Sequence, residues 1–418
     1  MNQVSPPGVS GVAQDPPPSR PLVGDERRAR DAALACAAVM AVALGIGRFA
    51  FTPLLPLMLA GGELDIRHGG WLASANYAGY FVGAMTCARL AASPAGMVRA
   101  GLAATVLLTL AMGVACPFGV WALVRFVGGI VSAWTFVFAS QWGLRRLAEL
   151  DAPAWSGVIY TGPGFGIVVT GLIGSALAGQ RSALGWIGFA AVSAVLAAIV
   201  WRVFAEPSPR RAASAAPPPP SAVPGGARQA RADACWLVLL YGLPGFGYII
   251  TATFLPVIAR AALPAGSPWP DLFWPMFGAA LIVGALLGAR LPVRWDNRAL
   301  LACSCALQAA GVALGIVWPT ASGFSLGSIL IGLPFTAITL FAMREARRLH
   351  GERAAGLMGY ATASYGIGQI AGPLIAAPLA AHSGSFAPAL WLAVASLMIG
   401  TAGFAGGAWH AARRAQPD

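Results

Sequence analysis

Apolar residues in this chain fall into long unbroken runs, separated by short segments that hold arginine, proline and glycine. About 20 apolar residues in a row are what a helix needs to cross roughly 30 Å of hydrocarbon. Counting such runs predicts twelve helices, beginning near Ala33, Gly70, Gly96, Phe118, Ala154, Ser182, Ala234, Leu272, Ala299, Thr320, Ala354 and Phe386. Proline and glycine inside them are compatible with spanning, because neighbouring helices satisfy the backbone groups that these residues free.

The segments outside the runs divide the chain. Residues 1–30, rich in Pro, Gly and charge, are expected to be a disordered cytoplasmic tail, and residues 204–233, dominated by Pro, Ala, Ser and Arg, an extended cytoplasmic linker. Between and after them lie an N-terminal six-helix half, 31–203, a C-terminal half, 234–411, and a short cytoplasmic tail, 412–418. The halves repeat. VGAMTCARL (Val82 to Leu90) matches VGALLGARL (Val283 to Leu291) at six of nine positions. GIGRFAFTPLLP (Gly45 to Pro56) recurs as GFGYIITATFLP (Gly245 to Pro256), and Tyr160, Gly166 and Ile167 recur as Tyr360, Gly366 and Ile367. One nearly constant offset at three places points to a duplicated unit.

Composition places the chain in a bilayer: 57% of residues are hydrophobic, 10% are charged, and the mean hydropathy is +0.70. The formal net charge of +12 comes from arginine alone, which occupies all 27 Lys+Arg positions. These arginines sit at the ends of apolar runs and form no basic face, so no nucleic-acid partner is expected. In the twelve-helix arrangement only Arg67, Arg181 and Arg260 fall on one side, Arg48 and Arg125 fall within spans, and the remainder fall on the other side. The positive-inside rule then predicts cytoplasmic termini and a multi-pass protein of the bacterial inner membrane. The six cysteines lie mostly in apolar segments without metal-ligand spacing and are expected to be buried and unpaired. No phosphate-binding loop, metal cluster or nucleophile with a nearby base stands out, so neither enzyme chemistry nor a cofactor is expected.

The candidate chemistry lies in two charges. Arg48 is about fifteen residues into the first run, or ~22 Å along it, and Arg125 is about seven residues into the fourth, which runs the other way. Both therefore lie at similar depth, within about 10 Å of one face. An intramembrane charge is costly and faces the protein interior or a wet cavity. No Asp or Glu is expected well inside a span, the nearest being Asp31, Asp233 and Asp271 at span ends. Two uncompensated guanidinium groups favour an anion, since the planar fork pairs with carboxylate or phosphate. Their alternative role is to bind carbonyls freed by the Gly and Pro breaks. In the seventh run Tyr241, Gly245, Tyr248 and Ala252 share one helical stripe, making both tyrosines candidate substrate contacts. Asn76 and Tyr80 share a face of the second run, and the eleventh holds Tyr360 and Gln369; for these a bond to a neighbouring helix is the favoured role.

Two parallel six-span halves joined by a cytoplasmic linker resemble the major facilitator superfamily, and GIGRFAFTPLLP resembles its bacterial YbfB/YjiJ-type subfamily. The resemblance implies alternating access around a central site lined mainly by helices one, four, seven and ten. In the loop after the second span Gly83 and Arg89 match the superfamily pattern while its Asp is missing, and Arg125 with Gly129 resembles the Arg-x-x-x-Gly pattern of span four. GVIYTGPGFG (Gly157 to Gly166) looks like the Gly-Pro motif of exporters, and GIGQIAGP (Gly366 to Pro373) is a similar motif. Gly45, Gly47, Pro53, Pro56, Gly162, Pro163, Gly166, Gly372 and Pro373 are read as helix-packing positions.

The resulting expectation is an all-α secondary transporter. It works as a monomer and moves a small organic anion, a carboxylate, with or without a proton, using Arg48, Arg125, Tyr241 and Tyr248. A proton-coupled drug or metabolite exporter is the alternative within transport, and a non-transporting membrane sensor the alternative outside it.

Overall fold

A computed structural model of the chain describes residues 23–205, 227–351 and 354–415. The described residues before position 206 form α1 (Val23–Met40), a π-helical turn (Ala41–Ile46), α2 (Phe51–Ala60), α3 (Ile66–Thr86), α4 (Pro94–Ala111), α5 (Phe118–Glu149), α6 (Ser156–Ile159), α7 (Gly162–Ala176) and α8 (Ser182–Val200). Those after it form α9 (Ala227–Ala262), α10 (Trp269–Arg290), α11 (Asn297–Val317), α12 (Ala321–Gly332), α13 (Phe335–His350), α14 (Ala354–Ser383) and α15 (Ala387–Ala415).

Two boundaries differ from expectation. Residues 23–30, expected as tail, are the first turns of α1, and residues 227–233, expected as linker, begin α9. Arg, Ala, Glu and Gln are good helix formers, so each helix continues past its apolar run into polar sequence. Helix α15 likewise continues past residue 411 to Ala415. The remainder of the expected tails and linker, residues 1–22, 206–226 and 416–418, lies outside the described residues.

Local chemistry fixes several helix starts. Asp65, Ser93, Asp296 and Thr320 each cap the helix that follows by accepting a bond from a backbone N–H in its first turn. Asp65 lies in the loop before α3, and the His68 backbone N–H holds its carboxyl below the usual carboxylate range. Close packing then follows from missing side chains. A Cβ on Gly79 of α3 would lie 1.8 Å from the Phe126 carbonyl oxygen of α5, and one on Gly129 would lie 2.0 Å from that of Asn76. Only glycine lets these two backbones come so close.

Ten helical stretches among the described residues are long and apolar enough to cross a membrane. Helices α3 and α14, of 21 and 30 residues, fall outside that set because Gly, Ser, Tyr and Asn or Gln dilute their apolar content. They pack against each other, so much of their polar surface is turned to protein and not to lipid.

The buried core is divided unevenly. One cluster joins residues from both sides of position 206, among them Phe49, Leu54, Met58 and Leu72 with Tyr248, Phe254, Ile258 and Ala377. A second, around Ala33, Val39, Phe138, Leu147 and Phe204, draws only on the first part of the chain. The third, around Leu237, Leu301, Phe341, Leu357 and Phe404, draws only on the second part. Helices α2 and α9 meet where the core is shared, while α1 packs on α5, α6, α7 and α8. The two parts of the chain thus close on each other at the end holding the C-terminus of α2. At the arginine-rich end, where α1 and α9 begin, each part has a core of its own.

Candidate functional site

The site starts from a break in the first helical stretch. Within Ala41–Ile46 the backbone widens into a π turn: Gly47 N–H bonds Val42 O at 2.8 Å and Phe49 N–H bonds Leu44 O at 3.2 Å, each skipping five residues. Four residues of turn follow before α2 resumes at Phe51. Pro53 has no N–H to offer the Phe49 carbonyl, which Thr52 N–H takes at 3.2 Å instead. That exchange leaves the Arg48 carbonyl without its α-helical partner, Thr52 N–H.

Arg125 of α5 fills the vacancy. Its Nη2 donates to Arg48 O at 3.1 Å and its Nη1 to Gly47 O at 3.3 Å, with the guanidinium 5.1 Å from the Phe51 ring centroid. The Arg125 carbonyl in turn accepts from Asn76 Nδ2 at 2.9 Å. Arg125 therefore holds the broken helix to α5, and both of its Nη groups donate to backbone.

Arg48 faces a different set. Its carbon Cζ lies 4.1 Å from the Tyr80 ring centroid, 5.1 Å from that of Tyr77 and 5.3 Å from that of Phe49. These are cation–π distances. Its Nη2 donates to Gln369 Oε1 of α14 at 2.7 Å, and Gln369 Nε2 donates to the Tyr248 hydroxyl of α9. Arg48 and Arg125 are buried, and among the described residues neither pairs with a carboxylate; the Nε of each lacks a partner. The depth match expected from sequence is observed, since Arg125 touches the Arg48 backbone. Arg125 makes the contacts of its alternative role, on carbonyls freed by the helix break, while Arg48 bonds a side-chain amide.

Tyr241 and Tyr248 are fully enclosed. They stack on Tyr365 of α14 at centroid distances of 4.8 and 5.9 Å, and the Tyr241 hydroxyl bonds Thr339 Oγ1 at 3.1 Å. Their stripe faces α14 and α2: Gly245 lies against the Tyr365 backbone and the Ala252 carbonyl accepts from Thr52 Oγ1 at 2.8 Å. Two further bonds join the parts of the chain in this region, Tyr77 to Thr253 at 3.0 Å and Ser74 to the Ile370 carbonyl at 2.9 Å.

The packing positions surround this region. A Cβ on Gly45 or Gly166 would meet the other's Cα at 2.4 or 2.5 Å, and one on Gly162 would meet the Ala37 carbonyl at 2.1 Å, so α7 lies directly on the first helical stretch. Gly47 lies near Thr105, Pro53 against Gly174, Gly372 against Ile249 and Pro373 against Gly70. Pro163 opens α7, and Pro56 lies within α2.

Sequence reasoning set aside Tyr80 and Gln369 and did not single out Tyr77 or Tyr365. The legible signal was spacing: Tyr77 and Tyr80 are three apart, and Tyr365 and Gln369 four apart, so each pair shares a helix face. Glu345 was also missed. It is buried in α13, where Arg298 Nε donates to it at 2.7 Å and Arg348 grips both its oxygens, while Arg298 also reaches Asp233 at 2.9 Å. All six cysteines are free, with Cys235 and Cys303 exposed contrary to expectation.

Membrane-length helices in two parts of the chain that meet around a buried cation make this a multi-pass helical membrane protein. The sequence pattern of one family, described as uncharacterised MFS-type transporter YbfB, matches residues 40–403, and the chain belongs to that family. Among solved structures it is similar to a point mutant of the nucleoside transporter NupG, with a TM-score of 0.72 and 15% identity over 90% of this chain and 99% of that one. A second NupG structure gives a TM-score of 0.69 and 14% identity over 90% and 98%. Comparison with curated proteins gives no match.

Proposed function

We propose that the chain is a secondary active transporter that carries a small organic anion, a carboxylate, across the bacterial inner membrane. The observation that carries this reading is the Arg48 guanidinium, buried where two parts of the chain meet, with a neutral amide and three aromatic rings around it and no acidic partner among the described residues. A buried charge without a counter-ion costs several kcal/mol, which an anionic ligand relieves by a charge-assisted pair. Arg48 is the binding group in this reading, Tyr248 is held beside it through Gln369, and Tyr241 extends the aromatic wall. Arg125 positions the Arg48 segment.

The transport cycle is alternating access by two six-helix halves, with α3 and α14 completing twelve spans in a monomer. With both termini cytoplasmic, the shared core lies toward the outer face of the membrane and the two separate cores toward the inner one. A second reading, a neutral aromatic solute of nucleoside type, is favoured by the Tyr241, Tyr365 and Tyr248 stack.

The test is ligand-dependent thermal stabilisation of the purified protein, wild type beside Arg48→Ala and Arg48→Lys, across organic anions, nucleosides, cations and sugars. A ligand that binds the folded state raises its apparent stability by mass action. Stabilisation of wild type by carboxylates, weakened in Arg48→Lys and lost in Arg48→Ala, is the expected result. Equal stabilisation of all three proteins by neutral compounds would remove Arg48 from the site. Uptake of the stabilising anion into proteoliposomes separates a transporter from a sensor.

A further inference from the structure

Gln369 is buried in α14 between the packing glycines Gly368 and Gly372, and both ends of its amide are engaged. Arginine has donors only, so the atom facing Arg48 Nη2 at 2.7 Å must be the carbonyl oxygen Oε1. That assignment turns Nε2 toward the Tyr248 hydroxyl, whose oxygen accepts. The direction of the whole chain is thereby set, from Arg48 to Gln369 to Tyr248. Arg48 belongs to the part of the chain before position 206, and Gln369 and Tyr248 to the part after it. The bond between Arg48 and Gln369 is therefore one of the ties across the shared core, together with those of Thr52, Ser74 and Tyr77.

Resting on the reading of Arg48 as the anion-binding group, we propose that Gln369 is a built-in stand-in for the substrate. Its carbonyl oxygen occupies on Arg48 the place that a carboxylate oxygen takes, so that binding displaces the amide and unties the two parts of the chain. The physical basis is a ranking of acceptors. An amide oxygen satisfies a guanidinium with one neutral acceptor, whereas a carboxylate brings two oxygens and a compensating charge. A neutral solute offering a carbonyl gains nothing over the residue already in place. Gln369 thus sets the selectivity of the site for anions, and it couples their arrival to release of a cross-chain bond.

The matched probes are benzoate and benzamide, which have the same ring and differ in carrying a carboxylate or an amide. Benzoate should stabilise the wild type against heat and benzamide should not. In Gln369→Ala the competitor is gone, so benzoate should bind roughly tenfold tighter, the scale of one hydrogen bond to a charged group, and benzamide should acquire measurable binding. In Gln369→Glu a tethered carboxylate takes Arg48 permanently, and benzoate binding should be lost while the ligand-free protein keeps or raises its melting temperature. Weaker benzoate binding in Gln369→Ala would mean that the residue holds the ligand, and unchanged benzoate binding in Gln369→Glu would mean that it does not occupy the site; either overturns the proposal.

A ligand-free readout keeps the proposal separate from the reading it rests on. Ser74→Cys, a background common to every variant compared, puts a thiol in place of the hydroxyl that bonds the Ile370 carbonyl. Its alkylation by an impermeant maleimide, applied from the side of the shared core, should rise when Gln369→Ala is added and fall when Gln369→Glu is added. If benzoate and the wider carboxylate series leave wild type unaffected while alkylation responds this way, the anion reading fails and the tie stands. Alkylation unchanged by both substitutions would remove the tie.

Discussion

Two arginines at one depth illustrate how surroundings divide the work of identical side chains. Arg125 has both Nη groups on carbonyls of the broken helix, and Arg48 has the neutral amide oxygen of Gln369 and three aromatic rings. Truncating them should therefore have opposite signatures. Arg125→Ala leaves the buried Arg48 carbonyl and the part-buried Gly47 carbonyl unpaired, at a cost of about 1–3 kcal/mol for the buried group. A lower melting temperature is expected, with anion over cation preference intact in whatever protein remains folded. Arg48→Lys keeps a positive charge but loses the planar fork, so anion affinity should fall by roughly tenfold or more with little change in ligand-free stability. A calorimetric titration alongside a melting curve on both variants checks the division. Equal loss of affinity in the two would place Arg125 in the binding site after all.

Helix packing around the site depends on a few glycines whose need can be measured one at a time. Gly129→Ala would drive a methyl group to 2.0 Å from the Asn76 carbonyl oxygen, an atom of the α3 backbone that cannot swing aside. Destabilisation of about 1–3 kcal/mol is expected, in the range of overpacked cores. Gly188 of α8 has nothing within 4 Å of where its Cβ would stand, so Gly188→Ala should be neutral or stabilise by roughly 0.5–1 kcal/mol through helix propensity. Thermal unfolding of the pair distinguishes a packing requirement from a general cost of added bulk. Helix positions were legible in sequence because the bilayer demands long apolar runs: Phe118 and Ser182 are the observed first residues of α5 and α8, and Thr320 caps α12 one residue ahead of its start. The break at Gly47 to Ala50 was legible only as a cluster of Gly and Pro. Its consequence, the capture of Arg125 by freed carbonyls, depends on which helix lies alongside, and periodicity does not encode that. The same limit hid Gln369. A polar residue on a helix face reads as a packing bond until the residue across from it is known, and here that residue is Arg48, far away in sequence.

At the scale of the whole molecule, a core shared by both parts of the chain gives way to separate cores near the level of Arg48, with Leu44 in one and Ile46 and Phe49 in the other. Alternating access requires the shared core to part, so contacts made there belong to one state only. Thr52 and Ala252 make such a contact, the hydroxyl of one bonding the carbonyl of the other at 2.8 Å. Thiols introduced by Thr52→Cys and Ala252→Cys in one chain should be joined by a short bifunctional thiol reagent in the ligand-free protein. The link should stop transport of the stabilising anion, and cleaving a reducible version of it should restore the flux. Saturating anion should slow the cross-linking reaction, because displacement of Gln369 from Arg48 removes a neighbouring tie and shifts the population toward the separated arrangement. Full transport by the cross-linked protein would mean that this end stays closed throughout the cycle. The moving contact would then have to lie elsewhere, with α7 against α10 the next place to test, since a Cβ on Gly171 would already touch Pro275 at 2.5 Å.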